Sequence, residues 1–147
     1  MVALRLVHLI ENHSDELALG LLKKCQSLPR THDLKKVPAS ELRDRAYEIY
    51  HHLSDWLLHK KEAEIERLYV EIGERRAAQG VQLADVCWGI MLTKEHLWDF
   101  LEQQGFLKSP MELLGELELL RLLDQFFDRA LCFVCEGYEH AQISHAA

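Results

Sequence analysis

Four places in this sequence carry residue types that do chemistry, at spacings that bring them onto one helix face. Glu48-Ile49-Tyr50-His51 is an E-x-x-H, and His52, Asp55 and His59 follow at i, i+3 and i+7. Glutamate and histidine three apart are the ligand pair of di-iron helical bundles, which need two such motifs and a glutamate from each of two further helices. The sequence has no second E-x-x-H, so Glu48 and His51 read as a surface i, i+3 pair. His52, Asp55 and His59 would need a fourth ligand and outer partners to hold a metal, and read instead as a solvated ridge beside Trp56. Cys132-Phe133-Val134-Cys135 is a C-x-x-C, but it sits deep in a helical pattern with no strand before it, unlike a redox motif. A zinc site would want a second pair, whereas Cys25 and Cys87 are isolated in the chain. Haem attachment would want a histidine at Glu136. The four cysteines therefore read as reduced thiols, small hydrophobes of the core.

Two further groups interrupt apolar faces. Thr93 and Lys94 fall between Ile90 and Leu97, with Trp88 and Trp98 nearby. These four residues are the candidates for lining a small-molecule pocket. The alternative is that Lys94 carries its ammonium out to water along the bundle edge. Arg75 and Arg76 lie in GERRAAQG, at the end of a helical pattern where the macrodipole favours cations. Arg76 shares the register of Ile65, Tyr69 and Ile72, so it points inward and requires a carboxylate or carbonyl partner. Asp85, Asp99, Asp124 and Asp128 are the acids considered for it, with Asp128 taken alongside Arg76 as a structural anchor. Arg75 is expected to face water. No serine stands in a nucleophile elbow and no glycine-rich loop could cradle phosphate, so the inventory points away from catalysis.

Five stretches with helical periodicity must position these residues, and none alternates like a strand. The first covers about Val2 to Leu28, with the stripe Leu6, Ile10, His13, Leu17, Leu21, Cys25, Leu28, and Pro29 stops it. RTHDLKKVPA reads as an irregular linker. Ser40 is the expected cap of the second helix, whose stripe is Leu42, Ala46, Ile49, Leu53, Trp56. The third begins near Lys61. The fourth runs from Leu83 to about Gln104 and Gly105 ends it. The fifth opens after Ser109 and Pro110, a cap followed by proline at the first helical position. Helices four and five are apolar around more than half their circumference, which places them at the bundle centre or at an interface with another chain. HAQISHAA, 141–147 in particular, reads as a frayed tail.

The composition agrees. A chain of 147 residues is one domain on length, here taken as 1–147, and its scarce glycine (7) and proline (3) suit helices. The balance of 17 basic and 24 acidic residues, −7 overall, repels phosphate backbones and argues against nucleic acid as a partner. No apolar run reaches the roughly 20 residues of a membrane span, and the start lacks the features of a secretory signal. A cytoplasmic location follows as the expectation.

IGERRAAQGVQLADVCWGIMLTKEHLWDFL, followed by LLDQFFDRALCFVCEGYE, resembles the N-terminal domain of the RsbT co-antagonist RsbRD family. The likeness covers about Leu9 to Glu139. Its most specific residues are Arg76, Gln79 and Gly80 with Leu83 after them, Leu97-Trp98, Phe127-Asp128 and Gly137-Tyr138, with Trp56-Leu57 a weaker fit. The resemblance implies an all-helical domain of the kind that precedes output modules in bacterial stress regulators and sensor histidine kinases. It supplies no ligand.

The sequence therefore predicts an all-α bundle of about five main helices: a non-enzymatic, cytoplasmic signalling module without cofactor. It would respond to a protein partner or a small-molecule signal by helix repacking and form a homodimer. The competing readings are a haem- or metal-binding helical sensor and a small enzyme with a pocket near Lys94. The missing second E-x-x-H and the glutamate after Cys135 predict purified protein without stoichiometric metal or haem. Elemental analysis finding about one iron or zinc per chain would overturn this.

Overall fold

The computed structural model describes residues 4–104 and 110–146. Every described element is helical, and there are eight of them rather than five. Helices α1 (Leu4–Asn12) and α2 (Ser14–Ser27) are followed by a 3₁₀ helix (Pro29–Lys36) and α3 (Ala39–His51). A single π-helical turn (Asp55–His59) leads to α4 (Glu62–Ala78), α5 (Leu83–Gln103) and α6 (Pro110–Ala146). No described helix is long and apolar enough to cross a membrane.

The three extra elements arise where the predicted helices break. The first predicted helix is two, because His13 leaves helical geometry (φ −111°, ψ 19°) and its ring Nδ1 bonds the Leu9 carbonyl at 2.8 Å. The linker is not irregular. Pro29 fixes the start of a 3₁₀ helix, and buried Thr31 donates its hydroxyl to the Cys25 carbonyl at 2.6 Å, one of the carbonyls left over at the end of α2. The second predicted helix ends at His51, and Trp56 belongs to the π turn. Ser40 is not a cap: Pro38 (φ −53°, ψ 135°) delivers the chain straight into a helix that starts at Ala39. Of the stretch 141–147, the described residues to Ala146 continue α6. Gly105 and Ser109 lie outside the described residues.

The closest helix pair is α4 on α6. A Cβ placed on Gly73 would stand 2.1 Å from the Val134 carbonyl oxygen, and one on Gly137 would stand 2.0 Å from that of Val70. The two backbones therefore touch, which only glycine permits on either side. Around this crossing the core is aromatic. Phe126 packs on Trp56, Tyr69 and Phe127 with ring centroids 5.0–5.8 Å apart. Leu119, Leu123, Ala130 and Val134 of α6 and Leu97 and Leu101 of α5 complete it. Two buried tyrosines tie elements together through backbone carbonyls: Tyr50 on Thr93 at 3.0 Å and Tyr138 on Val81 at 2.5 Å.

After α4 the chain turns at Gly80, the one described glycine with positive φ (75°). Val81 N–H bonds the Arg76 carbonyl at 3.1 Å and Gly80 N–H bonds that of Ala77 at 3.0 Å. This is a complete Schellman closure. Asp33 accepts from Gln82 N–H at 2.6 Å, and Asp85 accepts from Asp33 N–H at 2.8 Å, so the 3₁₀ helix clasps the turn.

Gly137→Ala or Gly73→Ala is expected to cost more than about 3 kcal/mol, because a methyl group overpacks a backbone contact that cannot yield. Gly80→Ala should cost about 1 kcal/mol, since its surroundings are open and only φ is strained. Urea denaturation of the three variants separates the two mechanisms; equal small losses would mean that α4 and α6 do not meet backbone to backbone.

Candidate functional site

The C-terminal turn of α4 carries Arg75 and Arg76, and helical register sends them in different directions. Arg76 is 4% exposed and Arg75, as a side chain, 56%. Both reach Glu41, in the first turn of α3. Arg76 Nη1 donates to Glu41 Oε1 at 3.0 Å and to Gln79 Oε1 at 2.9 Å. Arg75 Nε also donates to Oε1, and Arg75 Nη2 donates to Oε2 at 3.1 Å, where Gln79 Nε2 donates as well, also at 3.1 Å. One carboxylate thus takes four donors, which is its full capacity. These bonds, Arg75's first among them, hold Glu41 down at about 2 against an ordinary 4.5, with burial opposing them. Burial pulls the Arg76 guanidinium down, and Glu41 acts against that.

None of the four aspartates considered for Arg76 is its partner. Asp85 accepts from the Asp33 N–H of the 3₁₀ helix, Asp99 pairs with Lys24 at 3.0 Å, Asp124 pairs with Lys94 at 3.5 Å, and Asp128 is exposed. The partner lies 35 residues before Arg76 in the chain, in the first turn of α3, and is not among the acids that the sequence suggests. Arg75 is exposed but is also paired, not free in water.

Beside this node lies a cavity of about 100 Å³ where α2, α3, α4 and α5 meet. Its wall is mostly apolar, including Leu21, Leu42, Ala46, Ile72 and Val86, together with the side chains of Cys25, Thr93 and Arg76. Burial pushes the Cys25 thiol up to about 11, so it serves as a hydrophobe there. Exposed Glu48 and half-buried Arg45, 4.0 Å apart, line the side that reaches the surface.

Of the four pocket candidates, the structure brings only Thr93 to this cavity. Its hydroxyl bonds the Gly89 carbonyl at 2.8 Å. Lys94 turns to Asp124, half-buried Trp88 lies 4.6 Å under the Arg30 guanidinium, and Trp98 is half-buried elsewhere on α5. Their spacing follows one stretch of α5, but α5 rotates about 100° per residue and the cavity sees one stripe of it. Among the described residues no group of three or more His, Cys, Asp and Glu side chains could hold a metal ion. The C-x-x-C cysteines are not a pair either. Cys132 is exposed, while Cys135 meets Cys87 of α5 with their Sγ atoms 3.7 Å apart. Burial and that contact push Cys135 up to about 12.

A family model for the RsbT co-antagonist protein rsbRD N-terminal domain matches residues 25–147. The chain belongs to that family. No curated protein and no solved structure gives a match of that standard. The match overlaps the stretch from which the resemblance was drawn, and several landmarks of that stretch now have a physical role. Arg76 and Gln79 bind Glu41, Gly80 closes α4, Gly137 admits α4, and Tyr138 holds Val81. Membership makes this domain a regulatory module of stress signalling.

Glu41→Ala leaves Arg76 buried without its charge partner and should cost on the order of 3–5 kcal/mol. Arg76→Ala should cost more than about 1 kcal/mol and Arg75→Ala less, because the exposed pair is screened. Glu41 is depressed in the folded state, so its contribution is complete above 4.5 and is lost as pH falls toward 2. Urea titrations across that range should show a declining stability that flattens in Glu41→Gln. An unchanged slope in the variant would place the acid sensitivity elsewhere.

Proposed function

We propose that this rsbRD N-terminal domain is a non-enzymatic regulatory module, that a ligand or a protein partner changes its helix packing, and that it works as a homodimer. The family match over residues 25–147 carries the reading. Support for the mechanism comes from α6. At 37 residues it extends about 55 Å, and it is clamped to α4 at Val134 and Gly137, beyond its midpoint. Any displacement of α4 therefore moves a long lever. Such a response requires a signal that binds one packing arrangement better than another.

Support for the dimer comes from the same helix. Leu114 and Leu117 are 60% and 52% exposed, whereas Leu119 and Leu123 are fully buried. On α5, Met91 is only half-buried as well. Two-fold pairing is the commonest way a soluble chain covers such a face, and a stable interface buries at least about 1,000 Å².

Light scattering at micromolar concentration should give a mass of two chains, and Leu114→Asp combined with Leu117→Asp should reduce it to one. A wild-type mass of one chain would refute the dimer.

A further inference from the structure

The bonds around Arg76 leave part of it unused. Its Nη1 spends both hydrogens, on Glu41 and Gln79. Glu41 is saturated by Arg75, Arg76 and Gln79 and can accept nothing more. The Nε–H and the Nη2 hydrogens of Arg76 bond nothing among the described residues, although the residue is only 4% exposed and lines the cavity. The Nε–Nη2 edge of a guanidinium is a planar fork that matches a carboxylate with two parallel bonds.

We infer that the cavity binds a small monocarboxylate with an apolar body, its carboxylate held by the Nε–Nη2 edge of Arg76 and its hydrocarbon among Leu21, Leu42, Ala46 and Val86. The inference rests on the ligand-responsive reading above and names the ligand class. Size limits the body to a few carbons. An apolar cavity of about 150 Å³ takes benzene, and this one is about 100 Å³. Charge selects the head group. Arg45, Arg75 and Arg76 against Glu41 and Glu48 leave a local excess of one positive charge in a chain of net charge −7. The C-terminal end of α4 offsets about half a charge of that excess. A phosphate would demand more replacement of its hydration than one fork and a leucine-rich wall supply. The binding site touches α2, α3, α4 and α5 together, so an occupant biases their packing directly.

The test is a calorimetric titration of the full chain with butanoate, 1-butanol and acetate at neutral pH, with the arginine Nε–H signals followed by NMR. Butanoate should bind at least tenfold more tightly than 1-butanol, acetate should not bind measurably, and the Arg76 Nε–H signal should shift only with butanoate. Arg76→Lys, which loses the fork and keeps the charge, should reduce the preference to less than threefold. If that variant does not fold, the Nε–H shift in the wild-type protein decides the matter alone. Equal binding of butanoate and 1-butanol would overturn the carboxylate assignment and leave the ligand-responsive module standing. Absence of binding by either probe would overturn the inference as a whole, whereas the dimer and partner response are read separately by light scattering.

Discussion

The backbone contact between α4 and α6 is the constraint from which the rest of the arrangement follows. Gly73 faces the Val134 carbonyl and Gly137 faces that of Val70, an approach that any side chain would prevent. Glycine within a helix costs about 1 kcal/mol relative to alanine, so both positions sacrifice helix stability to permit the crossing. Once α4 lies on α6, its register is set: Tyr69 and Ile65 meet the aromatic core, and Arg76, one helical repeat further along that face, is carried inside. Tyr138, next to Gly137, is then placed to hold Val81, and the turn closes where the 3₁₀ helix can clasp it.

Bringing a guanidinium inside creates a debt that the fold settles with Glu41. The exchange is economical because one carboxylate serves two arginines and a glutamine, and because α3 must come close to α4 to deliver it. This polar node therefore specifies the α3–α4 contact as well as neutralising a charge. It also places a guanidinium in the wall of a mostly apolar cavity.

The helical class, the positions of the long helices and the inward direction of Arg76 were all legible in the order of residues, because each depends on spacing within one element. The breaks at His13 and at the π turn were not, since the apolar stripe continues through both and a stripe reports the buried face rather than backbone continuity. The pocket placed at Trp88, Thr93, Lys94 and Trp98 was read from nearness in the chain. Only Thr93 reaches the cavity beside Arg76, whose other walls come largely from α2, α3 and α4.

What the sequence determined by itself was local: an all-helical chain, an acidic balance unsuited to nucleic acid, and a family pattern of turn and core residues matched over 25–147. What only the tertiary structure decided were the pairings across long separations: Arg76 with Glu41, Gly73 with Val134, Cys87 with Cys135. Periodicity tells which side of a helix faces inward, but it carries no information about which helix stands opposite. That choice is made by all the packed surfaces at once, when backbones that can touch do so and buried charges find the one acid within reach.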